Sequence, residues 1–357
     1  MKQIILDFGV LRIGDLTIPL RIYGYGLMLV IGFIVGVYLA QRKARRAGEN
    51  ADAISVCCIL ALVGGIVGSR IAYVVQHWDT QFASADNKIA AVANLTSGGL
   101  IYYGGVVLAI VLVVCYLLAK GLSVRRYLDF LAVSMMVGLA FGRTGCLLNG
   151  CCYGGRCDEH WPIAMRFPMY SRPLIKLDGR DNPYSEAGQT PSPAYSHHLG
   201  KGWVHPHPKL VDPEGQLLPP NEFDEDQAEI AGRTRALPVH PAQALGIFNA
   251  LLIAVLVACF YRIRRREGQA FAVMLMAYAV SRFALESIRD DNPHDLLAGV
   301  FTHNQYTSTA LFFAGMVMLV VVQCLPRSAG PAWAIRQAEA VSAHSANKVK
   351  HRNSKRR

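Results

Sequence analysis

An arginine stands in the last turns of an otherwise apolar segment, Leu128–Leu148. It belongs to the run Gly142-Arg143-Thr144-Gly145-Cys146-Leu147-Leu148-Asn149-Gly150-Cys151-Cys152-Tyr153-Gly154. A guanidinium at the centre of a bilayer-spanning helix costs roughly 2.5–3.5 kcal/mol on translocon scales, and less near a helix end. Such a charge is usually kept because an anion comes to meet it, and in a bilayer the obvious anion is a phospholipid phosphate. Arg70 and Arg282 repeat the pattern in two other apolar segments. Arg282 is followed four residues later by Glu286 and seven residues later by Arg289, one stripe of a helix in which Glu286 can pair with either arginine. A charged stripe in a membrane helix more often faces a cavity than lipid. The competing reading of each arginine is that it snorkels to the headgroups.

The segments that must position these residues are unusually apolar. The chain is 52% hydrophobic and 17% charged over 357 residues, with a formal net charge of +11. Seven stretches are long enough to cross a bilayer: Ile22–Ala40, Ile54–Val75, Leu100–Ala119, Leu128–Leu148, Gln243–Tyr261, Ala270–Ile288 and Tyr306–Cys324. They are filled with apolar residues and lack the ten-residue alternation of a barrel, so they predict helices. Small residues four apart (Gly32/Gly36, Gly64/Gly68, Gly138/Gly142) suit close helix–helix approach. Asp7 and Asp15 interrupt the first twenty residues, which argues against a cleavable signal peptide. The expectation is an all-α polytopic membrane protein with seven transmembrane helices.

Basic residues fix an expected orientation. Arg42, Lys43, Arg45 and Arg46 follow the first segment, Lys120, Arg125 and Arg126 the third, and Arg262, Arg264, Arg265 and Arg266 the fifth. The C-terminal tail ends in a further basic cluster, whereas the opposite short loops carry only Lys88 and Arg289. The positive-inside rule then places the N-terminus outside and the C-terminus in the cytoplasm. In that orientation Arg70, Arg143 and Arg282 fall near the outer ends of their helices, and Tyr25, Tyr103 and His240 near the outer starts of theirs. The domain reading is 1–155 for helices one to four, 156–237 for an external polar insertion, 238–326 for helices five to seven, and 327–357 for a basic, unstructured cytoplasmic tail.

At this point the chain resembles a family. The block Gly142-Arg143-x-Gly145-x-x-x-Asn149-Gly150 looks like the signature of prolipoprotein diacylglyceryl transferases. Tyr25-Gly26-Leu27-Met28, Gly65-x-x-Gly68-Ser69-Arg70, Gly98-Gly99-Leu100-x-x-Tyr103-Gly104-Gly105, His240-Pro241-x-Gln243 and Arg282-Phe283-x-x-Glu286-x-x-Arg289 match further family motifs in order. Together they cover about residues 20–155 and 238–325. The resemblance implies a multi-pass enzyme of the bacterial cell (inner) membrane. It would move diacylglyceryl from phosphatidylglycerol to the lipobox cysteine of a prolipoprotein signal peptide and release glycerol phosphate. That chemistry calls for a cationic clamp on the leaving phosphate and help in ionising a thiol. Arg143 and Arg282 are expected to form the clamp, because a guanidinium matches phosphate in a bidentate way. Arg289 and Glu286 are expected to orient Arg282 and the headgroup, Asn149 and the turn through Gly154 to hold glycerol hydroxyls, and Tyr25, Arg70 and His240 to line the substrate. No metal, cofactor or nucleic acid is expected.

Three departures from the family pattern stand out. Tyr103 occupies a position where many members have the histidine taken as general base, and an unperturbed tyrosine is a poor base at neutral pH. Tyr103 is read as a hydrogen-bond donor, as a base tuned by nearby arginines, or as a residue packed at the headgroup belt. Cys146 and Cys151 replace Asn and Glu of many members. With Cys152 and Cys157 they crowd into twelve residues, read as packing, a disulfide, a pocket wall or a metal site, although the spacing Cys-x4-Cys-Cys-x4-Cys matches no standard metal motif. The insertion, with His160, His197, His198, His205 and His207 among many prolines and acids, reads as a poorly packed loop or a cap over the site. Two other classes stay open: an anion transporter or channel lined by the arginines, and a non-catalytic lipid-binding relative.

Overall fold

The computed structural model of the chain describes residues 4–13, 16–83, 87–94, 99–170, 191–220, 223–289 and 301–325. The protein is mostly helical. Six helices are long and apolar enough to cross a membrane: α1 (Gly24–Arg46), α2 (Asp52–Gln76), α4 (Tyr102–Ala119), α5 (Val124–Asn149), α8 (Ala242–Ile263) and α10 (His303–Cys324). The apolar stretch Ala270–Ile288 also forms a helix, α9 (Gln269–Glu286), whose last turns carry Arg282 and Glu286. Short helices α3 (Lys88–Ala93), α6 (Pro193–Gly200) and α7 (Glu225–Arg233) lie in the connections. A helix satisfies its own backbone hydrogen bonds, and that is why long apolar runs take this form.

One element was not anticipated. The chain opens with an antiparallel hairpin, β1 (Ile4–Ile13) and β2 (Leu16–Tyr23), with Ile4 opposite Tyr23 and Ile13 opposite Leu16. Its strands are rich in aliphatic and β-branched residues, which favour extended pairing.

The chain divides into two compact units. One comprises Met1–Val35, Met135–Ala258 and Val273–Val317, the other Gly36–Ser134, Cys259–Ala272 and Met318–Arg357. In the second unit α2 packs on α4 through glycine. A Cβ at Gly68 would lie 2.4 Å from the Gly104 carbonyl oxygen, one at Gly104 2.3 Å from Ala72 Cβ, and one at Gly105 2.3 Å from Ser69 Oγ. At Gly104 and Gly105 α2 fills the space beside α4, because two helix backbones meet there at the closest range glycine permits.

The same unit holds a set of charges in and beside the helix connections. Arg126 bridges Glu49 and Glu267, and Ser123 Oγ donates to Glu267 at 3.0 Å. Asp129 has no solvent exposure. It accepts from the backbone N–H groups of Gly268 (2.8 Å) and Phe271 (2.9 Å) and pairs with Arg264 at 3.0 Å. Asp129 thus caps the start of α9 from another helix, satisfying N–H groups that a helix start leaves without partners.

In the first unit, the described part of the insertion has a core of its own, contrary to the expected loose loop. Tyr153, Phe167, Met169, Tyr195, Leu210, Phe223 and Val239 are buried against one another. Apart from the short alternation Met165, Phe167, Met169, they are scattered among prolines and polar residues, so no long periodic run announces the cluster. A reciprocal capping box between Asp224 and Gln227 starts α7. The tail 327–357 lies outside the described residues.

The α2–α4 contact generates a test. Gly104→Val should lower the melting temperature of the detergent-purified protein, since overpacking costs about 1–3 kcal/mol. Gly65→Ala should not, because its Cβ would meet nothing within 4 Å. Equal melting temperatures for Gly104→Val and the parent would show that α2 and α4 do not meet through this contact.

Candidate functional site

The turn after α5 is the centre of the site. Gly150, at φ 75°, reverses the chain and donates its N–H to the Cys146 carbonyl at 2.9 Å. A left-handed glycine of this kind commonly ends a helix. Cys152 follows at φ 60°, the one left-handed residue other than glycine among those described. Beyond it the chain is stitched down: Gly154 N–H donates to the His240 carbonyl at 2.9 Å, Gly155 N–H to the Ile288 carbonyl at 2.7 Å, and His240 N–H to the Gly155 carbonyl at 2.9 Å. A Cβ at Gly154 would lie 2.6 Å from His240 Cβ. Gly154 is therefore required for close approach to the chain entering α8. Gln243, fully buried in the first turn of α8, donates Nε2 to the Cys151 carbonyl at 3.0 Å. Its Oε1 is a buried acceptor with no hydrogen-bond partner among the described residues.

This stitching gathers residues from several helices. The start of α1 packs on the last turns of α5, with Tyr25 Cδ2 2.9 Å from where a Cβ of Gly145 would stand. The stem of Arg143 crosses α8 at Gly246, where a Cβ would lie 3.3 Å from Arg143 Cδ. Tyr25 has Arg143, Cys146, Cys151 and Cys152 as electrostatic neighbours. The Cys152 thiol is pulled well below the usual cysteine range by hydrogen bonds from the thiols of Cys146 and Cys151, and by Arg289 and Arg143. The Asn149 side chain interacts with the Cys151 thiol.

The two clamp arginines differ in their surroundings. Glu286, 2% exposed, accepts from Arg282, from Asn304 Nδ2 at 2.9 Å and from Thr302 Oγ1 at 3.3 Å. Arg282 is thereby neutralised inside the protein. Arg143, half-buried, has no carboxylate partner among the described residues. It is a cation aimed into a neighbourhood of thiols and a phenol.

Tyr25, Arg143, Asn149, Gly154, His240, Arg282, Glu286 and Arg289 all belong to the first unit, whereas Arg70 and Tyr103 belong to the second. Arg70 is 7% exposed, and its guanidinium donates to the carbonyls of Ala91 (2.7 Å), Val92 (2.9 Å) and Gly99 (3.1 Å). It holds the α2–α4 connection in shape. Tyr103 is 45% exposed at the start of α4, its ring edge-on to Tyr102 at 5.7 Å.

All nine cysteines are free thiols. The linear spacing of the cysteines argued against a metal site, yet the reversal at Gly150 brings the Sγ atoms of Cys146, Cys151 and Cys152 within 4.8 Å of one another. The insertion histidines do not form such a group among the described residues. Instead His198 accepts from Leu237 N–H at 3.3 Å, and both His197 and His198 lie against Trp203. Sequence reasoning did not name Thr302 and Asn304 as partners of Glu286. It quoted Gln243 only as part of the His240-Pro241-x-Gln243 motif, whose fixed offset is the signal that could have found it.

Long apolar helices with arginines near their ends and a glycine-rich turn describe a multi-pass membrane protein. A family model for prolipoprotein diacylglyceryl transferase matches residues 13–321. The chain belongs to that family. It is 27% identical to a phosphatidylglycerol–prolipoprotein diacylglyceryl transferase of Bdellovibrio bacteriovorus, over 83% of this chain and 88% of that one. With the protein of the same name from Deinococcus radiodurans it shares 24% identity, over 88% and 85% respectively. A third, from Rhodopirellula baltica, is 37% identical over 45% of this chain and 32% of its own length.

The two arginines should respond differently to removal. Arg282→Ala removes the guanidinium paired with the buried Glu286 carboxylate and should cost about 3–5 kcal/mol of stability, read as a large fall in melting temperature in detergent. Arg143→Ala removes no ion pair and should melt close to the parent. Equal melting of both variants would contradict the distinction.

Proposed function

We propose that this chain transfers the diacylglyceryl group of phosphatidylglycerol to the lipobox cysteine thiol of prolipoproteins. A carbon–sulfur bond forms, the glyceryl carbon–oxygen bond to phosphate breaks, the thiol proton passes to a base or to solvent, and glycerol phosphate leaves. Family membership supports the reaction class. The observation that carries the site assignment is Arg143, a half-buried guanidinium without a carboxylate partner among the described residues, beside Arg289 and the 149–155 turn. Charge develops on the departing phosphate, so a fixed cation there lowers the barrier. Arg282 acts as a cation oriented by Glu286, and Gln243 Oε1 is a buried acceptor suited to a glycerol hydroxyl.

In this reading α9 is the seventh crossing, because its ion pair lets it carry Arg282 and Glu286 without leaving either charge unmatched. The basic loops support an N-terminus outside and a C-terminus in the cytoplasm of a bacterial inner membrane. Tyr103 is assigned a role by the resemblance, as a hydrogen-bond donor or proton carrier where relatives use histidine.

Two measurements test the reading, using purified protein, phosphatidylglycerol vesicles and a lipobox peptide, with thioether product and glycerol phosphate counted. Arg143→Ala should lower turnover by at least about 10²-fold, the scale of one lost oxyanion donor. Arg143→Lys should restore only part of it, since a point charge lacks the planar fork. Near-normal turnover in Arg143→Ala would remove the clamp. Tyr103→Phe should lower turnover by roughly 10²–10⁴-fold, the usual worth of a positioned proton-transfer group, with folding unchanged. A Phe variant as active as the parent would leave Tyr103 a packing residue.

A further inference from the structure

We propose that Cys146, Cys151 and Cys152 form a thiolate site for a thiophilic divalent metal ion of the zinc class. Three Sγ atoms lie within 4.8 Å of one another. Bonds of roughly 2.3 Å to a tetrahedral zinc set sulfur–sulfur separations of roughly 3.8 Å, so small side-chain adjustments close the site. The backbone is already arranged for it. Gly150 and Cys151 both donate to the Cys146 carbonyl, at 2.9 and 3.2 Å, which folds the turn back on the last turn of α5. Cys152 takes a left-handed conformation that a residue with a Cβ adopts only when its surroundings impose it. The hydrogen bond from Gln243 to the Cys151 carbonyl pins the loop from a second helix.

Charge fits as well as geometry. Three thiolates around a divalent ion carry one net negative charge, and Arg143 and Arg289 both act on Cys152. A net negative centre beside two guanidiniums is stabilised where a cationic one would be repelled. Each metal–sulfur bond replaces a sulfur–proton bond and releases its proton to solvent. Three protein ligands leave a fourth position for water or an added thiol, the arrangement of an open rather than a closed zinc site. Cys157, the fourth cysteine of the sequence run, does not join the group.

The test does not depend on transferase activity. Full-length protein in detergent, reduced and stripped with chelator, is titrated with Zn2+ against a chromophoric chelator, then alkylated with and without Zn2+ and mapped by mass spectrometry. One zinc per chain should bind, and Zn2+ should protect Cys146, Cys151 and Cys152 while Cys157 and the five helix cysteines react as before. Cys146→Ser, Cys151→Ser and Cys152→Ser should each weaken binding about tenfold or more, as loss of one of three ligands demands, and Cys157→Ser should not. The alkylation map of the unmutated protein decides the matter even where a serine variant misfolds. No retained zinc, protection that includes Cys157 equally, or serine variants that bind like the parent would each overturn the site.

Discussion

A carboxylate sealed from solvent sets the terms for the first unit. Glu286 is buried, and Arg282, Thr302 and Asn304 all donate to it. An isolated buried charge would cost several kcal/mol and would sooner take up a proton. The constellation ties the end of α9 to the start of α10, and the Ile288 carbonyl just beyond α9 receives Gly155 N–H of the signature turn. The turn, the arginine stripe and the start of α10 are thus held by one chain of polar contacts. Breaking it would displace the residues around Arg143 without touching Arg143 itself.

The second unit solves a similar problem by other means. Asp129, Arg264, Arg126, Glu49 and Glu267 meet near the connections between helices, where each charge has an opposite partner or helix-start N–H groups. Arg70 donates to three backbone carbonyls of the α2–α4 connection, whose dipoles help to solvate its charge. The rings of Tyr73, at 5.6 Å, and Phe82, at 5.5 Å, also lie against it.

What the sequence made legible follows from which forces act locally. Each long apolar run became a helix within a few residues of its expected bounds, because intrahelical hydrogen bonding and apolar composition are properties of the segment itself. The pairing of Arg282 with Glu286 was legible for the same reason, being set by helical spacing. Contacts between segments were not. Gly104 reads equally well as an open path for a headgroup or as a helix contact until α2 is in place. The thiol group shows the point most sharply. Motif spacing assumes a regular hairpin or helix between ligands, whereas Gly150 and Cys152 in left-handed conformation produce a reversal that no spacing rule describes. The insertion core failed to show for want of a long period, since its apolar residues come in ones and twos from 153 to 239.

The phosphate clamp and the thiolate site proposed for the first unit would share their cations, and that sharing has a thermodynamic consequence. Arg143 and Arg289 stabilise the thiolate of Cys152. A phosphate group bound at Arg143 would draw on the same positive potential and leave the thiolate less favoured, so phosphate binding would raise the proton affinity of Cys152. Linkage makes the effect reciprocal: whatever holds Cys152 ionised weakens the hold of Arg143 on an anion by the same factor. Because the site is half-buried, the coupling is screened less by salt than it would be at the surface. The positive potential that recommends Arg143 as a phosphate site is therefore set in part by three thiols a few residues along the chain.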